Sequence, residues 1–268
     1  MKLSLGKWLL PVYSSLALLF LMIPIGYTFI YSFNDSLKSN ITWRGFTFDK
    51  WLNVCNVQNG AVCQAFGNSL IIGAIATVVA TTLGTMIAIA IVRYRFKFRS
   101  QTSLFLFLPM ATPEVVLGAG LAAQFLSLGV PKDMLTIILA HTMFCISFVV
   151  VTVKARVASL DPALEEAGRD LYGSAWQVFA RITFPLLLPG ILAAALLSFA
   201  LSFDDFIITN FNSGAVTTFP KYIYISAARG IPAEANVLAS AVFILALVVV
   251  VTVQVSGAAR ARRLAKMS

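Results

Sequence analysis

Charge is scarce in this chain: Asp, Glu, Lys and Arg make up 12% of the 268 residues, and hydrophobic residues make up 59%. A soluble domain carries roughly 25% charged and 45–50% apolar residues. The scarcity excludes a disordered chain and an ordinary soluble globular domain. Acids are rarer than bases, 11 against 20, so the net charge of +9 comes from missing acids. That origin argues against a nucleic-acid partner. With one histidine and three cysteines, little is left for metal chemistry. Cys145 is four residues from His141, but no acid stands at metal-ligand spacing from it, and no cysteine cluster has zinc-site spacing. The expectation is no metal site, with His141 as a hydrogen-bonded structural residue. The chain also lacks a G-x4-G-K-[ST] phosphate loop, a His-Glu-x-x-His and a G-x-S-x-G. No catalytic residue is assigned, and ATP hydrolysis by this chain alone is not expected.

Long apolar runs are what the sequence has. A transmembrane helix needs about 20 mostly apolar residues. Six stretches qualify, at 9–33, 69–92, 104–128, 135–153, 186–208 and 237–256. Each is continuous and too long for a membrane barrel strand. The predicted fold is an all-α integral membrane protein, a single transmembrane domain over 1–268. The first run follows Lys2 and Lys7 but is too long for a signal peptide, so it is read as a retained span.

Lys and Arg set the orientation. With the N-terminus inside, 14 of the 20 bases fall in inner segments: Lys2, Lys7, Arg93, Arg95, Lys97, Arg99, Lys154, Arg156, Arg169, Arg181, Arg260, Arg262, Arg263 and Lys266. Six fall outside: Lys38, Arg44, Lys50, Lys132, Lys221 and Arg229. Both termini are thus expected in the cytoplasm. Cys55 and Cys63 then lie outside, where a disulfide and two free thiols are both open. Cys145 lies in an apolar run and reads as core. The outer loop, 34–68, holds Trp43, Phe46, Phe48 and Trp51, suited to the membrane surface or an external partner.

The inner loop, 154–185, is too long for a turn. Asp161-Pro162 is a helix start, and Glu165 and Glu166 suit its first turn. Leu160, Leu164, Ala167 and Leu171 share one face. Gly173 breaks the helix, and Ser174 with Gln177 forms a capping-box pattern for a second helix, 175–181. Pro185 closes that helix and begins the next span. By these residues alone, the loop is either an amphipathic linker on the bilayer or a docking site for a cytoplasmic partner.

The line Glu166-Ala167-Gly168, three residues, Tyr172, nine residues, Ile182-Thr183-Phe184-Pro185 resembles the E-A-A-x3-G-x9-I-x-L-P loop of ABC-importer permeases. It departs at Gly168, Tyr172 and Phe184, and a glycine follows one position late, at Gly173. Residues 197–206, 113–118, 31–34, 43–47 and 232–236 resemble the spermidine/putrescine branch of those permeases. The resemblance implies the type I permease fold in a bacterial cytoplasmic membrane, in a lipid bilayer. It also implies a second permease subunit, two ATP-binding subunits that hold ATP and magnesium, and an extracytoplasmic substrate-binding protein. This chain would need no cofactor of its own. The loop would be the coupling helix, with Glu165, Glu166, Ala167, Asp170 and Gly173 carrying the ATPase contact.

Acids inside apolar spans are costly and mark a pathway or a pairing. Glu114, Asp204 and Asp205 are the three candidates for a cationic substrate path. Pro109 and Pro113 suggest a local break whose free backbone groups would hold Glu114. Gly118, Gly120 and the pair Gly84/Ala88 are read as close helix packing. The expected function is polyamine import powered by separate ATPases. Importers of other solutes, and a self-sufficient secondary transporter or channel, are the alternatives.

Overall fold

The structure, a computed structural model, describes residues 5–36, 42–56, 60–228 and 230–265. Lys2, Lys38, Arg229 and Lys266 lie outside the described residues, as do the side chains of Lys7, Arg260, Arg262 and Arg263. The described residues are helical, without a strand; one isolated bridge joins Asn34 and Phe46. Among the described residues, five helices are long and apolar enough to cross a membrane, and a bent pair brings the number to six. The chain divides into two units, Met1–Cys63 with Ile223–Ser268, and Gln64–Tyr222.

In the first unit, α1 (Leu5–Tyr31) packs with α12 (Ala233–Ala265), and the short α2 (Asp49–Leu52) also meets α12. From Leu9 onward most apolar side chains of α1 are exposed, Leu10 and Phe20 above 70%. Such a surface belongs against lipid or another subunit. The outer loop folds back on itself. Asp35 N–H donates to Gly45 O at 2.9 Å and Thr47 N–H to Phe33 O at 2.8 Å. Buried Asn34 accepts from Arg44 N–H and donates to Thr42 O. Phe33 stacks on Phe46 and Trp51. Lys50 and Glu234 form an ion pair at 2.9 Å with side chains 9% and 3% exposed. Cys55 and Cys63 are joined by a disulfide.

The second unit contains α3 (Gly60–Arg93) from Gln64 onward, α4 (Arg99–Ala111), α5 (Glu114–Ser127), α6 (Met134–Ala158), α7 (Ala163–Asp170), α8 (Ala175–Val178), α9 (Phe184–Asp204), α10 (Ile207–Asn212) and the start of α11 (Phe219–Ala227). Ala76, Ala80, Gly84 and Ala88 repeat every fourth residue along α3 and are buried. A Cβ on Gly84 would stand 2.6 Å from Val149, so only glycine lets α3 approach α6 this closely. Val149, Val150 and Val153 of α6 meet Leu187 and Ala194 of α9 in the same core. An Asp133–Thr136 capping box starts α6.

Three sequence expectations are corrected. The span 104–128 is two helices bent by 107°. Pro113 forces Thr112 into extended backbone (φ −80°, ψ 132°), which ends α4; Pro109 lies inside α4 without breaking it. Pro185 does not close the helix that begins at Ala175. The helical run continues from Ala175 to Asp204 through a π-turn at Phe179–Thr183. Pro185 lacks an N–H and crowds the carbonyl one turn back, and the wider turn accommodates both. The span 186–208 ends early, because Asp205 takes extended backbone (φ −66°, ψ 125°) and α10 starts anew.

Candidate functional site

Two places in the second unit gather the polar chemistry. The first is the inner loop. Asp161 Oδ1 accepts from Ala163 N–H, starting α7. The helix ends on a double bond pattern, Tyr172 N–H to Arg169 O and Gly173 N–H to Gly168 O. This is the Schellman arrangement, and its left-handed position is Tyr172 at φ 60°. The glycine of the motif normally removes the strain of that conformation; here a tyrosine bears it. Gly173 is needed for a different reason: a Cβ there would lie 2.6 Å from Gly168 O. Gly168, in place of the motif's second alanine, lets Ile182 and Val178 pack against α7, since a Cβ would meet Ile182 Cδ1 at 2.6 Å. The Ser174–Gln177 capping box forms as expected, with Ser174 Oγ accepting from Gln177 N–H and Gln177 Oε1 from Ser174 N–H.

The expected coupling residues divide by direction. Glu165 points into the unit: its Oε1 lies 3.0 Å from Arg93 Nη2 and accepts from Thr183 Oγ1 at 3.1 Å. It ties α7 to the end of α3 and to the π-turn. Glu166, Ala167 and Asp170 are exposed, and Gly173 is half-buried in the turn. Of the apolar face read from the sequence, Leu160 packs on the core, while Leu164, Ala167 and Leu171 are exposed. Leu164 is 46% exposed, Leu171 82%, Tyr172 98% and Trp176 72%. An amphipathic helix with its apolar face outward and its acid anchored inward is built to be covered by something else. Beside it a cavity of about 530 Å³ is lined by Arg93, Tyr94, Glu165, Glu166 and Arg169 among others.

The second place is the break between α9 and α10. Asp205 caps α10, accepting from Thr209 N–H at 2.8 Å and Ile208 N–H at 3.3 Å. Its Oδ2 lies 3.1 Å from His141 Nε2, and His141 Nδ1 lies 2.7 Å from Ser202 Oγ. Both nitrogens of the His141 ring are thus hydrogen-bonded. Thr209 Oγ1 is 2.9 Å from the same Nε2. His141 is thus a buried, hydrogen-bonded residue, and no group of His, Cys, Asp or Glu among the described residues could hold a metal. Asn212 extends the network, donating to Gly118 O of α5 while its own carbonyl accepts from Thr136 of α6.

The three acids are therefore not equivalent. Asp204 ends α9 and is exposed; Glu114 opens α5 and is exposed; Asp205 is drawn into the network, with a side chain 5% exposed. Glu114 is not hydrogen-bonded to backbone groups at the proline break. The sequence reading missed the network, although Ser202, Thr209 and Asn212 stand in and beside an apolar run at helical spacing around Asp205. It also missed both carboxylate clamps, Arg93–Glu165 and Lys50–Glu234, whose partners are 72 or more residues apart.

The chain is 34% identical over 236 residues to the spermidine/putrescine transport system permease protein PotC of Escherichia coli (strain K12), covering 88% of each chain. It is 37% identical over 229 residues to the putrescine transport system permease protein PotI of the same strain, covering 82% of this chain and 80% of that one. Among solved structures, a bacterial ABC transporter involved in the import of the acidic polysaccharide alginate matches with a TM-score of 0.65 at 15% identity, over 96% of this chain and 98% of that one. The MetNI methionine ABC transporter in an inward-facing conformation matches with a TM-score of 0.55 at 16% identity, over 75% and 93%. These two likenesses share the fold and no more. The family model described as "binding-protein-dependent transport system inner membrane component" matches residues 80–264, from within α3 through the inner loop to the end of α12. With that match, the outward-facing inner loop and the membrane-length helices, this chain belongs to the inner-membrane permeases of binding-protein-dependent ABC importers.

Proposed function

We propose that this chain is a transmembrane subunit of an ATP-driven importer that brings polyamines, spermidine and putrescine, into the cytoplasm. The observation that carries it is the inner loop: a self-capped helix pair, anchored through Glu165 and exposing Leu164, Leu171, Tyr172 and Trp176. The polyamine assignment rests on the relatives, which are spermidine/putrescine and putrescine permeases.

The proposed complex pairs this chain with a second permease subunit, two ATP-binding subunits and an extracytoplasmic substrate-binding protein. Both termini lie in the cytoplasm. ATP is hydrolysed by the partners, in keeping with the missing phosphate loop. Closure of the ATPase pair moves the docked loop. Because α7 is joined to α3 by Arg93–Glu165 and α8 runs unbroken into α9, the motion reaches two spanning helices at once. Glu166, Ala167 and Asp170 meet the ATPase, while Gly173 shapes the turn.

Asp204 and Glu114 are exposed at the ends of apolar helices. Lipid is a poor environment for an acid, so each faces an aqueous path or a partner subunit. A polyamine carries ammonium groups, and beside low-dielectric apolar helices their attraction to carboxylates is several times stronger than in bulk water. Asp205 shapes the path by holding the α9–α10 break. On the outer side, Trp43, Phe46, Phe48 and Leu52 are exposed on the loop ahead of the Cys55–Cys63 disulfide and form the landing surface for the substrate-binding protein.

The test is uptake of labelled spermidine and putrescine by cells lacking this gene, complemented by the chain or its variants. Asp204→Asn and Glu114→Gln should each lower uptake at least tenfold at unchanged membrane levels. Uptake unaffected by deleting the gene, in cells without a second polyamine importer, would remove the substrate assignment.

A further inference from the structure

The link between α3 and α4 reads Arg93-Tyr94-Arg95-Phe96-Lys97-Phe98-Arg99. Cations and aromatic rings alternate, and no acid follows before Glu114. Arg95, Lys97 and Arg99 count among the inner-side bases that set the orientation, and Arg93 and Tyr94 line the cavity beside the inner loop. The segment leaves α3 without regular structure, then turns at Lys97-Phe98, where Arg99 N–H donates to Phe96 O. Every residue from Tyr94 to Arg99 is exposed, with Tyr94 at 66% and Phe98 at 60%. The Lys97 ammonium lies 5.8 Å from the Phe98 ring centroid. None of Arg95, Lys97 and Arg99 is ion-paired among the described residues.

The stability of the unit does not account for this pattern. Tyr94 and Phe98 keep most of their surface outside the chain's own packing, and Phe96 is 41% exposed. Arg99 opens α4, where the helix dipole opposes a cation, and α4 has neither an acid in its first turn nor a side-chain cap. At the end of a membrane helix the same pattern has a use. Rings seat at the headgroup level, and clustered cations recognise anionic lipid. Arg93, the first residue of the strip, is clamped to Glu165, which sets the strip at the same end of the unit as the coupling loop. Arg93 and Tyr94 also line the cavity that Glu165, Glu166 and Arg169 share.

We propose that residues 94–99 bind the headgroups of anionic phospholipids in the cytoplasmic leaflet, and that lipid held there steadies the Arg93–Glu165 clamp and thereby tunes coupling. The position on the cytoplasmic side, and the word coupling, rest on the importer reading above; the lipid site itself does not. Phosphatidylglycerol is the partner chemistry: one phosphate charge for each exposed cation, at the depth where the rings insert.

The test uses the assembled importer in nanodiscs, in two arms. The first is photolabelling of the native complex with a photoreactive phosphatidylglycerol or phosphatidylcholine, followed by peptide mapping. Labelling within 94–99 should be at least fivefold greater with phosphatidylglycerol; equal labelling overturns the site. The second is ATP hydrolysis in phosphatidylcholine discs with and without phosphatidylglycerol. Anionic lipid should raise it about threefold in the native complex. The rise should vanish in Arg95→Gln/Lys97→Gln/Arg99→Gln and survive in Arg95→Lys/Lys97→Arg/Arg99→Lys. A rise that survives in the glutamine variant overturns the tuning role. Loss of the ATPase subunit from the glutamine variant makes the strip a protein contact and overturns the proposal. The photolabelling arm needs neither uptake nor substrate, so it stands apart from failure of the polyamine reading.

Discussion

The outer and inner loops solve one problem in two ways. Each is a polar excursion of some thirty residues from a membrane helix. Each is clamped by a carboxylate and a cation far away in sequence, and each shows aromatic or aliphatic side chains to its surroundings. The outer loop relies on burial and covalent closure. Its ion pair is 9% and 3% exposed, and a disulfide closes its end. The inner loop relies on local rules: an Asp start, a Schellman turn and a capping box. Its ion pair is more open, at 16% and 20%. A locally self-sufficient element keeps its shape while its anchor shifts. That suits the coupling role proposed for the inner loop and distinguishes it from the outer loop.

The difference can be broken from either side. The largest effect belongs to the outer loop. Glu234→Gln leaves the Lys50 ammonium buried without its charge partner, and should cost about 3–5 kcal/mol. It would be seen as a large fall in the thermal midpoint of the purified complex. Replacing both residues, Lys50→Met with Glu234→Leu, should recover most of the loss, because matched apolar groups avoid the desolvation penalty. In the inner loop the most damaging small change is Gly173→Ala. The new methyl meets a backbone carbonyl that cannot swing aside, so a cost of about 1–3 kcal/mol is expected. Reduced ATPase activity should accompany it. The smallest effect has the opposite sign. Tyr172→Gly relieves the left-handed strain, worth roughly 1–2 kcal/mol, and is offset in part by the roughly 0.5–1 kcal/mol entropic penalty of glycine. A net gain of at most about 1.5 kcal/mol in stability should appear, with some loss of ATPase association because the Tyr172 ring is fully presented outward.

The sequence made the membrane helices legible because hydropathy is additive along the chain, and it made the inner loop legible because caps are local. Asp161, Ser174 and Gln177 act on neighbours two or three residues away. What stayed hidden was non-local. The α9–α10 break has no proline or glycine; it exists because Asp205 finds His141, 64 residues earlier, and Thr209 on α10. The π-turn was hidden for another reason: Pro185 signals a stop, but a widened turn lets the helix pass it. The inner apolar stripe was legible as a face, yet its outward direction was not. Only packing shows that Gly168 and Glu165, not Leu164 and Leu171, face Val178, Ile182 and Arg93.

The most direct test of the coupling role is co-purification of the importer's ATP-binding subunit with this chain carrying Leu171→Glu, Trp176→Glu or Glu166→Arg. These side chains are exposed, so the chain itself should reach the membrane at normal levels. The prediction is at least a tenfold loss of bound ATPase for each variant, with polyamine uptake falling in step. Full retention of the ATPase and of uptake in all three would mean that this loop does not carry the coupling.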